Sequence, residues 1–183
     1  MYWQKLFPKS DIQILLKQYD INSDDDVMIA SIQSNLVTNL LMPTVKTMLI
    51  SCIHSNRKYI NINDVIVAKK ISHFNSVLPA KNSSSLLCLR HFKVVVNEHI
   101  HLLSTLLVKN NLIIPHMIKI SNDMVIELQE LIESYIRNFM EQFSLYCTEH
   151  SKKSNLNVYL YVLSSFVLND SSFLTYDNGY KKW

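Results

Sequence analysis

One short segment occurs twice in this chain, and each copy lies between a long and a short stretch of periodically spaced apolar residues. Segment 54–61 (HSNRKYIN) returns 96 positions later as segment 150–157 (HSKKSNLN), with five matched positions and no gap. Self-similarity at a fixed spacing is the signature of a repeated structural unit. The sequence therefore predicts a covalent pair of similar units instead of one irregular domain.

Glycine is almost absent, since Gly179 is the single one among 183 residues. Phosphate-cradling loops, tight hairpins and dinucleotide-binding motifs need glycine where the backbone takes positive φ or approaches a ligand closely. The sequence excludes these classes. With 48% hydrophobic residues the chain has enough apolar surface for a sizeable core, and the scarcity of turn residues favours long helices joined by polar loops. We therefore expect an all-α fold.

The first half reads as short helix, long helix, short helix. The apolar spacing predicts a helix over 8–19, an acidic loop over 20–26 that caps the next helix, and a long helix over 27–55. Pro43 lies inside the long helix, so we expect a kink or an unpaired carbonyl there. Asn63 is the predicted cap of a third helix that ends near Phe74.

The second half repeats this order. Segment 86–96 is open between an extra helix and a strand, because its three consecutive valines favour extended backbone. A short helix over 98–108 is followed by a loop over 115–120, a second long helix after Ser121, and a short apolar helix over 158–168. The inward face of the second long helix is predicted to be Met124, Leu128, Leu131, Tyr135, Phe139, Phe143 and Tyr146.

A single short–long–short unit cannot bury so long a helix, whereas two units that cross at their long helices can. At this point the chain resembles the core histones. Segment 57–66 resembles the second loop and third-helix start of histone four, where Arg57 and Asp64 would form a charge-assisted clamp. The second half resembles histone three, with Lys119 in the place of its minor-groove arginine and segment 86–96 in the place of its extra N-terminal helix.

The resemblance implies two tandem histone folds that form an intramolecular pseudo-dimer through a handshake of their long helices. The expected domains are a histone-four-like fold over 1–74, a linker over 75–85, a histone-three-like fold over 86–170 and a loose tail over 171–183. Fused doublets of this kind are known from large DNA viruses. The implied function is to organise viral DNA in a nucleosome-like particle, with double-stranded DNA, a second copy of the chain and a doublet of the other histone pair as partners.

In such a pair the first loop of one half lies beside the second loop of the other, and the paired loops grip phosphates. One edge would combine the acidic residues 24–26 with lysines, and the opposite edge would be basic. The basic edge would contain Arg57, Lys58, His116 and Lys119; the mixed edge would contain Lys152 and Lys153, and Lys9 and Lys17 would lie between them. The alternative that these lysines are ordinary solvated loop residues stays open.

The chain also departs from the histone pattern. It has no long basic tails, and Leu160 stands seven residues after Lys153, where the clamp would need an aspartate. The resemblance places self-association at Tyr146, Cys147 and His150. A rival hypothesis is therefore a histone-fold protein-interaction or structural subunit that does not wrap DNA.

No enzyme, cofactor or metal site is expected. The seven histidines lack the spacing of a four-ligand site, and the sequence has no nucleophile elbow or HExxH helix. Three scattered cysteines, read as buried thiols, indicate a reducing compartment. Polar residues such as Asn39 and Lys46 interrupt the apolar stretches, so we expect no membrane span. The predicted location is intracellular: a viral factory or host nucleus, and the virion if the chain is viral.

Overall fold

The computed structural model describes residues 7–22, 24–71, 85–109 and 118–169, and over them the chain is mostly helical, as predicted. Two-residue strands β1 (Tyr59–Ile60) and β2 (Lys119–Ile120) pair in parallel. The helices are α1 (Lys9–Gln18), α2 (Asp26–His54), α3 (Ile62–Ile71), α4 (Leu89–Lys109), α5 (Asn122–Glu149) and α6 (Leu156–Asn169).

Helix α2 is continuous past Pro43 because its backbone widens before the proline. It is α-helical over Asp26–Asn35, forms a π turn over Leu36–Leu41, and is α-helical again over Met42–His54. Within the π turn the Met42 amide bonds to the carbonyl five residues back instead of four. The missing N–H of Pro43 thus falls directly after a turn whose hydrogen-bond register is already shifted.

By length and composition alone, α2 is long and apolar enough to cross a membrane. Polar residues interrupt the apolar stretch at Asn39 and Lys46, as expected. Half of the most apolar stretch of α2 is buried inside the protein, and the side chains of Asn39 and Lys46 are exposed. A core helix has this composition because one face must be apolar along its whole length.

The two halves interlock. Helix α3 follows α2 in the chain but also packs on α5, and α6 follows α5 but also packs on α2; α4 lies against both long helices. Leu36 of α2 and Ile136 of α5 together line two cavities, so the middles of the long helices face each other there. Buried residues of both halves belong to one continuous hydrophobic cluster. The hydroxyl of Tyr159 on α6 accepts a hydrogen bond of 2.8 Å from Asn35 on α2.

The start of one helix differs from the sequence prediction, and the start of another agrees with it. Helix α3 starts at Ile62, and Asn61 takes the capping role expected of Asn63, since its side chain accepts from the Asn63 amide at 3.0 Å. Ser121 caps α5 as predicted and accepts from the Met124 amide.

Segment 86–96 was open between helix and strand, and the strand alternative is wrong. Helix α4 runs unbroken through the three valines, so an extra N-terminal helix separate from 98–108 is also wrong. Val95 and Val96 are buried, and their packing overrides the extended preference of β-branched residues.

Some expectations fall partly or wholly outside the described residues. These are most of the linker 75–85, the end of the third helix at Phe74, and the tail 171–183. Among the cysteines, Cys52 is buried, Cys147 is half-buried and Cys88 is exposed, so the expectation of three buried thiols is wrong for Cys88.

A buried carboxylate fixes the start of α4. Glu133 of α5 accepts hydrogen bonds from the Ser85 hydroxyl at 2.7 Å, the Leu87 amide at 3.0 Å and the Gln129 side chain at 2.8 Å. Burial alone would raise the pKa of Glu133, but these hydrogen bonds and one to the Leu86 backbone outweigh burial and lower it. The carboxylate therefore stays ionised and holds Ser85 and Leu87, which precede α4, against α5.

Replacing Glu133 with alanine should lower the free energy of unfolding by about 2–4 kcal/mol, because it leaves buried donors without an acceptor. Urea unfolding followed by circular dichroism measures this. Glu130→Ala is the matched control, since Glu130 is exposed on the same helix and its loss should change the stability by less than about 0.5 kcal/mol. Equal effects of the two variants would contradict the role of the network.

Candidate nucleic-acid interface

The loop after α2 and the residues before α5 meet at one end of the molecule. Strands β1 and β2 pair with Tyr59 opposite Lys119 and Ile60 opposite Ile120. The Lys119 amide donates to the Lys58 carbonyl at 2.9 Å, and the Ser121 amide donates to the Ile60 carbonyl at 3.1 Å. The expected proximity of Lys58 and Lys119 is therefore present, and both side chains are exposed. His116 lies outside the described residues. We call this end the basic edge.

Arg57 and Asp64 form the expected clamp. The guanidinium donates to both carboxylate oxygens of Asp64, at 2.9 and 2.5 Å, and the Asn61 amide donates to the same carboxylate at 2.9 Å. The side chain of Asp64 is fully buried, whereas that of Arg57 is 30% exposed. The clamp closes the loop onto the first turn of α3 and sets the direction of β1.

The clamp determines the charge state of its carboxyl group. Burial alone would raise the pKa of Asp64, but hydrogen bonds from Arg57, the Asn61 amide and the Ser51 hydroxyl outweigh burial and hold the pKa below its ordinary value of 3.8. The Arg57 guanidinium is occupied by Asp64, and this clamp shapes the loop. Lys58 and Lys119 are exposed cations of this edge.

The opposite end, which we call the mixed edge, brings the loop before α2 against the loop after α5. Asp25 caps α2 by accepting from the Val27 and Met28 amides, both at 3.0 Å, and it also accepts from the Leu156 amide at 2.9 Å. The Ser154 hydroxyl donates to the Asn22 carbonyl at 2.6 Å. Asp25 thus joins the two halves, and hydrogen bonds from the Met28, Leu156 and Val27 amides lower its pKa.

The cations at the mixed edge are offset by neighbouring acids. Lys9 forms an ion pair of 2.6 Å with Asp26, and Asp24 is exposed beside it. Lys152 and Lys153 are exposed in the loop after α5. Lys17 is exposed near the end of α1. As expected from the sequence, this edge carries both signs of charge.

The two repeat loops are related by a different register from the one the sequence suggested. Asn56 and Ser151 both have positive φ, at 50° and 48°. The next amides, of Arg57 and Lys152, bond back to the carbonyls of Cys52 and Cys147. These equivalent positions are 95 apart, so the gapless match at 96 is off by one residue at the helix ends.

Beyond the loop the offset changes again. Asn61 and Asn155 cap α3 and α6 with their side chains and are 94 positions apart. The second loop is therefore one residue shorter, and Val158 stands in the place of Asp64. The expectation that Leu160 marks the missing clamp position is wrong, although an apolar residue occupies the position in either alignment.

The residues expected to self-associate lie at the end of α5. The ring of Tyr146 stacks on His150 with centroids 4.2 Å apart and contacts Tyr161 of α6 at 5.2 Å. Cys147 is half-buried, and burial raises the pKa of its thiol. Leu145, Leu160 and Tyr161 are each 45% exposed or more. The structure thus brings the three expected residues together beside exposed apolar side chains.

Sequence reasoning missed Lys93, whose ammonium lies 2.5 Å from the Asn122 side chain at the start of α5. Nothing in the local pattern indicated it, because the contact depends on how α4 lies along α5. Among the described residues there is no group of three or more His, Cys, Asp or Glu able to hold a metal ion. Comparison with protein-family models, curated proteins and solved structures finds no match.

Asp64→Asn should lower the free energy of unfolding at pH 7 by about 3 kcal/mol, because it removes one partner of a buried pair. The folded-state pKa is lowered, so the stabilisation is fully present above the unfolded-state pKa of about 3.9 and is lost as the pH falls through the folded-state value. The difference between wild type and variant should therefore shrink below about pH 4. Urea unfolding at several pH values measures this.

Asp123→Asn is the control, because Asp123 is exposed in the first turn of α5. It should change the stability little at any pH. If the difference in unfolding free energy between wild type and Asp64→Asn stays constant down to pH 2, the lowered pKa of Asp64 does not stabilise the fold as stated.

Proposed function

We propose that this chain is a pair of histone folds in one polypeptide that binds duplex DNA through its basic edge. Two short–long–short helical units that interlock, with loops paired at both ends, support the histone-fold part of the proposal. The parallel pairing of β1 and β2 supports the DNA part, because it places the exposed Lys58 and Lys119 side by side. Adjacent lysines of this kind bind successive backbone phosphates without reading the sequence.

The biological role that follows is organisation of DNA, as part of a nucleosome-like particle with viral DNA as its substrate. Fusion of the two halves makes their pairing intramolecular, so the pair forms without dependence on protein concentration. A doublet of the other histone pair would complete the particle. This role places the protein inside the cell or the virion, at the DNA.

A second candidate is a protein-interaction or structural subunit that keeps the fold and does not wrap DNA. The mixed edge favours it. There Asp25 is used to join the two halves, and Lys9 is paired with Asp26. DNA wrapping requires contacts at several points around the protein, whereas the described residues form one basic end.

DNA affinity should depend on the basic edge more than on the mixed edge. In gel-shift titrations with duplex DNA at several salt concentrations, Lys58→Glu with Lys119→Glu should weaken binding by tenfold or more. It should also reduce the slope of log affinity against log salt by about two, since each phosphate contact contributes about 0.9. Lys152→Glu with Lys153→Glu is the matched control with the same charge change.

The control pair should retain most of the affinity and of the slope. Equal losses for both pairs would show that binding is not confined to one edge. Absence of any shift by the wild type at low salt would overturn the DNA proposal and leave the interaction subunit.

Self-association through the end of α5 is the second part of the proposal. Tyr161→Glu should halve the mass of the assembly measured by light scattering, because it places a charge beside Tyr146 in an apolar contact. Ile14→Glu is the control, since Ile14 and Tyr161 are both 57% exposed. An equal mass for wild type and Tyr161→Glu would contradict this interface.

A further inference from the structure

Lys93 of α4 is brought to the basic edge by a contact distant in sequence. Its ammonium donates to the Asn122 side-chain oxygen at 2.5 Å, and Asn122 is three residues after Lys119. Three residues span at most about 11 Å of chain. Lys93 therefore lies at the same end of the molecule as Lys58 and Lys119, whose backbones are hydrogen-bonded to each other at 2.9 Å.

Arg90 extends this group of charges along α4. It is exposed, and it lies three residues before Lys93, so the two side chains share a face of the helix about 5–6 Å apart. The start of α4 is held against α5 because the Leu87 amide donates to the Glu133 carboxylate. The first two turns of α4 are thus fixed relative to the basic edge at two points, the Leu87 amide and the Lys93 ammonium.

We infer that Arg90 and Lys93 form a second group of phosphate contacts and extend the basic edge along α4. The inference rests on the DNA-binding function proposed above and names where the backbone runs after it leaves the paired loops. The four cations Lys58, Lys119, Lys93 and Arg90 then form one strip. Duplex DNA carries one negative charge for about every 1.7 Å of its axis, so four cations in one strip face several phosphates.

Acidic residues of the described part of the chain also lie near the strip. Asp123 is exposed in the first turn of α5, and Glu98 is exposed on α4 five residues beyond Lys93. Two carboxylates beside four cations leave the strip net positive. The hydrogen bond to Asn122 also restricts the Lys93 side chain, which reduces the entropy lost when it binds a phosphate.

The test is the salt dependence of duplex DNA binding by the full chain. Arg90→Glu with Lys93→Glu should lower the affinity at least tenfold and reduce the slope of log affinity against log salt by about two. Arg90→Gln with Lys93→Gln should reduce the slope by the same amount with a smaller loss of affinity, because no repulsion is added. Lys46→Glu with Lys69→Glu is the control, since both lysines are exposed on α2 and α3.

Circular dichroism establishes that each variant is folded, and Arg90→Glu alone tests the strip without touching the Asn122 contact. Wild type that binds DNA while the Arg90 and Lys93 variants keep its slope would overturn this inference and leave the proposed function intact. Wild type that fails to bind at low salt would overturn the proposed function itself. A slope lowered equally by the Lys46 and Lys69 control would show a general charge effect and also overturn the inference.

Discussion

Neither long helix, α2 or α5, is buried by its own half alone, and the rest of the structure follows from that dependence. Along α2 the buried side chains run from Met28 to Cys52, and along α5 from Met124 to Phe143. Short helices from the same half cannot cover faces of that length. Each long helix is therefore covered by elements of both halves, and removing one half would expose the apolar face of the other to water. The described residues therefore form one hydrophobic core even though the sequence contains a repeat.

Within this apolar frame, three carboxylates act as hydrogen-bond acceptors at the places where segments join. Asp64 fixes the loop after α2, Asp25 joins the loop before α2 to α6, and Glu133 holds the start of α4. The hydrogen bonds that these carboxylates accept lower the pKa of each one. Part of the acidic loop 20–26 is thus structural, since the fold uses Asp25 to connect its halves.

The two long helices and the loops that follow them could be predicted from sequence, because apolar periodicity is a local signal. The Arg57–Asp64 clamp was implied by the resemblance to the histones. The rest depends on tertiary contacts that sequence spacing does not encode. Val94–Val96 are helical because Val95 and Val96 pack in the core, and the π turn before Pro43 is a backbone response to the proline. Matching residues placed the two copies of the repeat 96 positions apart, because a sequence match does not show which backbone hydrogen bonds form. The hydrogen bonds relate the helix ends at a spacing of 95 positions and the capping residues at a spacing of 94. Lys93 could not be found from sequence because its contact with Asn122 depends on how α4 lies along α5.

The two repeat loops differ in length by one residue, and the two ends of the molecule differ in backbone geometry accordingly. In the first loop the extra residue allows Arg57 to reach Asp64, which leaves Tyr59 and Ile60 extended and able to pair with β2. In the second loop Val158 replaces the aspartate, and residues 150–155, all of which the structure describes, form no strand. That loop is held instead by Asp25, which accepts from the Leu156 amide. The two ends therefore differ in how each loop is fixed: a clamp within the first half holds one, and a carboxylate from the other half holds the second.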